Sequence, residues 1–504
     1  MTNKIINVLE FLENSAQQFP DKVAFADETE QITYSELVRK ARRMASGIVC
    51  RVQPRSPVAV LGQKSVQTVA AFFACVYAGC FYVPLNPLHP QERRNSILSQ
   101  LSSPLILVQQ SCRELVKDAD GKVLFYEDAD REENDAALEK IRAGHIDTDP
   151  LYVMFTSGST GIPKGIAVSH RSVIDFIEEF TELFGIDSLD VIGNQAPFDF
   201  DVSVKDIYST VKTGATMQII PKKMFSFPVV LIDYLIARKV TTLIWAVSAL
   251  CILSGLRAFT YKVPTLVRKV LFSGEAMPIK QLNVWKTYLP EAMFVNLYGP
   301  TEITCNCTYY ILEKGQYCKD VLPIGKPFRN ERVFLLDDEN RLIENTDTAG
   351  EICVAGTALS LGYYNDVSAT ERAFIRNPLQ SAFSETIYKT GDLAYYDKNG
   401  DLCFIGRRDF QIKHMGHRIE LGEIESALLK MPGIARAVCL YDKTADKLYS
   451  FYQGDAEPPA VAKFLRDNLP AYMIPHKFIG KDKFPLNENG KIDRNKLREE
   501  YKND

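Results

Sequence analysis

Residues 156–165, Thr-Ser-Gly-Ser-Thr-Gly-Ile-Pro-Lys-Gly, gather four hydroxyls, three glycines and one lysine in a single short stretch. Glycines let backbone N–H groups come close to an anion, hydroxyls add donors, and a lysine adds positive charge. These are the needs of a bound polyphosphate. The spacing is not G-x-x-x-x-G-K-[ST], because Lys164 follows Gly161-Ile-Pro and is itself followed by Gly165. The stretch therefore reads as a phosphate loop of another kind. A flexible surface loop has the same composition, so its flanks must decide between the two.

Those flanks belong to a core. "LYVMF" before the loop is a short apolar run of strand character, and "GIAVSH" after it reads as a second strand. Val173, Phe176, Ile177, Phe180 and Phe184 then recur at helical spacing, with Ser169 at the helix start. Further along, "SPVAVLG", "PLILVQQ", "TMQIIP", "TTLIWAV" and "RKVLFSG" read as strands, with the helical stretches "SVQTVAAFFACVYAG" and "SFPVVLIDYLIARK" between some of them. Such alternation predicts an α/β fold with parallel sheet. From about residue 320 the pattern turns to β with turns, and Asp397-Lys-Asn-Gly400 marks a hairpin. A charged segment near 406–410 is the expected boundary between a large domain, 1–408, and a small α+β domain, 409–504.

Composition removes several function classes. The 504 residues are 46% hydrophobic and 24% charged, with a net charge of −4, which gives no electrostatic footprint for nucleic acid or anionic membrane. The N-terminus is interrupted by Glu10, Glu13 and Asn14 and does not read as a signal peptide. The "VAAFFACVYAGCFYVPL" run is punctuated by Gly79 and Pro84, so it reads as a buried helix followed by a strand. Eleven scattered cysteines without C-x-x-C predict reduced thiols and a cytoplasmic location, and six histidines without ligand spacing predict no structural zinc.

Four more segments carry weight in combination: "NLYGPTE" (296–302), "YKTGD" (388–392), "GRRDFQIKHMGHRIE" (406–420) and "NENGKIDR" (487–494). Each alone reads as a turn or charged linker. Together with the loop, in this order, they resemble the adenylate-forming superfamily of acyl-CoA synthetases, luciferases and nonribosomal-peptide adenylation domains. The likeness runs from "TYSELVRKA" at 33–41 to "GKIDRNKL" at 490–497. "NQAPFDFDVSVKDIY" and "LPAYMIPHKF" resemble its amino-acid-activating branch, including stand-alone D-alanine–carrier protein ligases.

The resemblance implies an ATP-dependent ligase. A carboxylate would attack the α-phosphate of ATP, releasing pyrophosphate and leaving an acyl-adenylate, chemistry that rests on positioning and charge neutralisation. It assigns Thr156, Ser157, Gly158, Ser159, Thr160, Gly161 and Lys164 to the β- and γ-phosphates, and Glu302, next to Thr301, to Mg²⁺. Asn296 and Tyr298 would frame the adenine, Asp392 would take both ribose hydroxyls, and Arg407 would lie beside the ribose and phosphates. Lys491 would carry the adenylation step. Asp409 matches the hinge for a second step, thiol transfer, and Gly416 lies on the segment that would then meet a phosphopantetheine arm.

Asp201, chosen over Asp199 by the family spacing D-x-S, would hold an α-ammonium, which fatty-acid and aryl-acid members usually do without. The same matching places Val202, Lys205, Ser248, Leu271, Ser273, Leu297, Cys305 and Asn306 around the substrate side chain. Lys205 leaves two readings open. Its amine reaches solvent and the substrate is small, such as alanine, serine or cysteine, or it pairs with an acidic substrate. Lys205 and Asn86 both depart from the D-alanine ligase pattern, and Asp206 is expected to face the helix packing. Because the chain ends soon after Asp493, the expected thiol acceptor is a separate carrier protein, with coenzyme A the lesser option. The rival readings are an acyl-CoA ligase, a nucleotide-binding scaffold without catalysis, and a luciferase-like oxygenase.

Overall fold

A computed structural model describes residues 4–117, 122–158, 162–315, 322–408, 411–485 and 492–502. The chain divides into two compact units. One comprises Met1–Asn86, Leu101–Met154 and Gly165–Arg408, and the other Pro87–Gln100, Phe155–Lys164 and Asp409–Asp504.

Parallel strands dominate two sheets in the first unit, as the alternating pattern predicts. In a nine-stranded sheet, Met293–Tyr298, Lys269–Ser273, Thr242–Ala246 and Val191–Asn194 are successive neighbours. Leu271 pairs in parallel register with Ile244 on one side and Val295 on the other. Parallel neighbours need crossovers, which the helices Val247–Gly255 and Ile279–Tyr288 supply. The result sets the ends of three strands side by side, where Ala246, Ser273 and Tyr298 stand. A seven-stranded sheet holds Pro57–Leu61, Phe81–Leu85, Pro150–Thr156 and Lys164–Ser169.

The helix Val66–Tyr77 is buried at eleven positions, all but Gln67, which is why its sequence is apolar on every side. Ser65 caps it and accepts from Thr68 N–H. It is followed at once by the strand Phe81–Leu85. Helix His170–Leu183 buries Val173, Phe176, Ile177 and Phe180 and is capped by Ser169. Burial of each such phenylalanine stabilises by about 1.5–3 kcal/mol.

The β-rich part is an antiparallel sheet in which Thr386–Tyr396 pairs with Gly350–Gly356 and with Leu402–Arg407. Gly400 N–H donates to Asp397 O in the predicted hairpin turn.

The second unit has its own core, built from Ile419, Ile424, Leu428, Leu448, Val461, Leu465 and Met473. The strands Ile434–Asp442 and Lys447–Gly454 are antiparallel, and Lys477–Gly480 joins the latter in parallel. A hairpin joins Gln411–His414 to His417–Glu420 through Met415 (φ +52°) and Gly416 (φ +78°). Two consecutive left-handed residues are what a tight two-residue hairpin turn demands.

Candidate active site

In the first unit, chemistry gathers at the strand ends. Asp392 lies on Thr386–Tyr396 directly opposite Arg407 in the antiparallel register. The Arg407 guanidinium donates to Asp392 Oδ1 at 2.7 Å, and Tyr298 Oη donates to Oδ2 at 2.5 Å. Asp392 is 1% exposed. Its own N–H donates to Thr390 Oγ1, and Gly391 (φ +72°) turns the strand just before it. Burial and the adjacent Asp392 charge raise the Tyr298 phenol well above its usual range, so it stays a donor. A carboxylate has about four lone-pair sites, so Asp392 keeps acceptor capacity for a diol. Asn296 Nδ2 donates to Pro323 O at 2.8 Å. Thr301 and Glu302 form a short 3-10 turn, Glu302 is fully buried, and Tyr363 Oη donates to its Oε1 at 2.8 Å.

A second cluster surrounds Asp201, the N-cap of helix Val202–Thr213. Lys205 follows one turn later, which puts both on the same face of the helix. Lys205 is 0% exposed, and its ammonium donates to Asn306 Oδ1 at 2.7 Å and Ser273 Oγ at 3.4 Å. The expectation that this amine reaches solvent is overturned: the helix is buried along this face, and the side chain ends on polar groups inside the core. Burial lowers the Lys205 pKa, against the pull of Cys305, Asp201 and Asp206. Burial also pushes the Cys305 thiol up, so it stays protonated, and it donates to Asp201 O at 3.2 Å.

Asn306 owes its position to an unusual backbone. Thr304 and Cys305 both adopt positive φ, +50° and +78°. For non-glycine residues this costs on the order of 1–3 kcal/mol each. Gly299 lets the segment approach, since a Cβ there would lie 2.4 Å from Asn306 Cα. Leu271, Leu297 and Cys305 belong to one apolar cluster, and Val202 is buried. Ser248 is half-buried in the first turn of Val247–Gly255, and no hydrogen bond among the described residues joins it to the others. Asn86 Nδ2 donates to Asp199 Oδ1 at 3.1 Å.

Two further buried ionisable groups lie here, Asp206, which faces the packing of its helix as expected, and Lys64, which the sequence reading did not single out. Asp206 is fully buried, accepts from Asn194 Nδ2, and is pushed up to about 7, burial opposing its ionisation. Lys64 donates to the carbonyls of Asn194, Gln195 and Ile220, and burial pulls it down to about 7. The one signal for Lys64 was its place just past the end of a parallel strand, where α/β proteins put functional groups.

In the second unit, Thr156 ends its strand and Lys164 begins the next. Ser157 Oγ donates to Arg418 O at 2.9 Å, and Gly158 N–H donates to Glu423 Oε2 at 3.2 Å. The other oxygen of Glu423 meets Arg93 at 2.5 Å, with both side chains almost fully buried. A backbone donor of the loop thus already holds an anion. A phosphate oxygen arriving at Gly158 would replace one negative group by another. Ser159, Thr160, Gly161, Asp409 and Lys491 lie outside the described residues. Gly416 occupies the hairpin turn described above.

No group of three or more His, Cys, Asp or Glu suited to a metal occurs among the described residues. A single buried carboxylate such as Glu302 fits Mg²⁺, which is usually held by one or two carboxylates plus substrate phosphates. No helix among the described residues is long and apolar enough to cross a membrane.

A family profile described as AMP-binding enzyme matches residues 12–364. Tyrocidine synthase 1 of Brevibacillus parabrevis is 34% identical over 501 residues, covering 98% of this chain and 45% of that protein. The chain therefore spans less than half the length of that relative. Zwittermicin A synthase ZmaJ of Bacillus cereus is 33% identical, over 97% of this chain and 94% of that protein. Among solved structures, IdnL1 superposes with a TM-score of 0.78 at 26% identity, covering 96% of this chain and 98% of that one. The artificially fused adenylation–PCP di-domain NpsA-ThdA from Klebsiella oxytoca gives 0.83 at 22% identity, covering 95% of this chain and 94% of that one, a likeness of fold.

Proposed function

The chain belongs to the AMP-binding enzyme family, and from that premise we propose that it activates an amino acid with ATP. The products are the aminoacyl-adenylate and pyrophosphate. The aminoacyl group then passes to the phosphopantetheine thiol of a separate carrier protein. The substrate is a small amino acid or an acidic one.

The observation that carries this reading is Asp201 with the buried polar groups gathered about it. Asp201 stands at the N-terminal end of a core helix with its carbonyl accepting from the Cys305 thiol, and its carboxylate is not used to cap that helix, which leaves it suited to an α-ammonium. A fatty or aryl acid offers no cation to a carboxylate placed there. Asp392 accepts the ribose hydroxyls, Arg407 and Tyr298 hold that carboxylate in place, and Asn296 lies beside the adenine. Thr156 through Gly161 and Lys164 take the outgoing phosphates. Glu302, next to Thr301, would hold Mg²⁺, which would supply charge neutralisation.

The substrate carboxylate is the nucleophile, and its attack breaks the bond between the α-phosphorus and the bridging oxygen. Lys491, from a mobile domain of residues 409–504, stabilises the charge that develops between carboxylate and phosphate. Rotation at Asp409 then withdraws Lys491 and brings Gly416 towards the thiol.

The test is amino-acid-dependent exchange of labelled pyrophosphate into ATP, with Lys491→Ala as control. Exchange with at least one amino acid that collapses in the control supports the reading. Thioester formation with coenzyme A and a carboxylic acid lacking an amine, without amino-acid exchange, would put the acyl-CoA ligase reading in its place.

A further inference from the structure

The electrostatics around Lys205 narrow the substrate class. Its ammonium has three donors. Two are spent on neutral acceptors, Asn306 Oδ1 and Ser273 Oγ. No carboxylate of the described residues is in ion-pair contact with it. Because Asn306 Oδ1 must face the lysine, its Nδ2 faces away, and no described residue accepts from it. A third ammonium donor and an amide NH₂ of neighbouring side chains therefore have no acceptor among the described residues.

The charges tell the same story. Asp206 lies near two buried ammoniums, Lys205 and Lys64, without ion-pair contact to either. The Lys205 ammonium is fully buried and meets only neutral acceptors, and a buried charge without a charged partner is strongly unfavourable. An anionic group on the substrate side chain would supply that partner at the remaining donor.

We propose that this site selects an acidic amino acid, of the aspartate or glutamate class, with its α-ammonium on Asp201 and its side-chain carboxylate on the Lys205 ammonium and the Asn306 amide. The assignment rests on the amino-acid-activating reading above. Lys205 and Asn306 are specificity residues in it, touching the substrate side chain and not the reacting atoms. A neutral side chain such as that of alanine leaves both donors unsatisfied. An amide isostere such as asparagine brings one acceptor but no charge.

The experiment is pyrophosphate exchange with aspartate, glutamate, asparagine, glutamine, alanine and serine, on the wild type and on Lys205→Met and Asn306→Asp. Retained ATP binding is the check that each variant is folded. The expected result is that one acid exceeds its amide by about a hundredfold or more in kcat/KM, the discrimination a site built on hydrogen-bonded polar groups achieves. Lys205→Met should remove that preference and favour a neutral amino acid. Asn306→Asp, a near-isosteric change that sets a carboxylate against the substrate's own, should depress the acid selectively. Preferred exchange with a neutral amino acid in the wild type overturns this assignment and leaves amino-acid activation standing. So does an equal loss for all substrates in a folded Lys205→Met. No exchange with any amino acid overturns both.

Discussion

Asp392→Asn is the sharpest perturbation of the nucleotide site. The native carboxylate accepts from Arg407 and Tyr298 and has lone pairs left for the two ribose hydroxyls. Asparagine keeps the shape but offers one acceptor oxygen where there were two, and turns a pair of donors towards groups that also donate. One ribose hydrogen bond is then lost, and the other loses its charge assistance. Hydrogen bonds to charged groups contribute about 1.5–3 kcal/mol each, so a loss of about 3 kcal/mol is expected. At about 1.4 kcal/mol per factor of ten, ATP should bind on the order of a hundredfold more weakly. Arg407, whose side chain is 11% exposed, also loses the charge of Asp392. Removing one partner of a buried pair costs up to about 3–5 kcal/mol of stability, less here because an amide oxygen remains. The assay is calorimetric titration with ATP well below the unfolding temperature, with Tyr298→Phe as comparison. The phenylalanine variant removes only the supporting phenol and should cost about tenfold or less, since one hydrogen bond to the carboxylate disappears. A folded Asp392→Asn that binds ATP within about threefold of wild type, under half a kcal/mol per hydroxyl, would refute the ribose assignment.

Three further outcomes follow from other parts of the molecule. Glu331 is buried, accepts at Oε1 from Ala358 N–H, and is pushed up to about 8 from its usual 4.5 by burial. Because its folded pKa is raised, the stability it contributes is fully present below the unfolded value and is lost as pH rises through about 8. Glu331→Gln should therefore remove that decline, and urea midpoints measured against pH should show the variant gaining on wild type up to about pH 8. Gly299→Ala would force a Cβ to within 2.4–2.9 Å of the backbone at Cys305, Asn306 and Cys307. It should destabilise by about 1–3 kcal/mol and raise the amino-acid KM more than the ATP KM in exchange assays. Arg93→Met leaves Glu423 buried without its guanidinium. It should cost about 3–5 kcal/mol in denaturation of the full chain, and a second change, Glu423→Leu, should recover much of it.

The two strands that flank the 157–163 stretch, the strand–helix alternation and the hairpin at Asp397–Gly400 were legible in the sequence because each depends on local chemistry. Glycines and hydroxyls clustered between apolar runs, Ser169 ahead of a helical pattern, and Asn-Gly in a turn act within a few residues. The positions of Asp392 and Arg407 were also readable as a motif, although their direct opposition comes from strand register.

Burial of charge was beyond the sequence. Lys205 sits in "VSVKD", between Val204 and Asp206, where a lysine reads most simply as a stem reaching water, because charged groups are rarely buried. Only the packing of the Asp201 helix against the strand end at Ser273 and the strained Thr304–Cys305 turn places its ammonium in the core. Lys64 and Asp206 stand 142 positions apart, and Arg93 and Glu423 stand 330 apart. Local pattern carries no signal at such separations. The sequence by itself determined which elements form and which residue types are at hand. Tertiary structure decided which charges lose their water, since desolvation depends on what the rest of the chain packs around them.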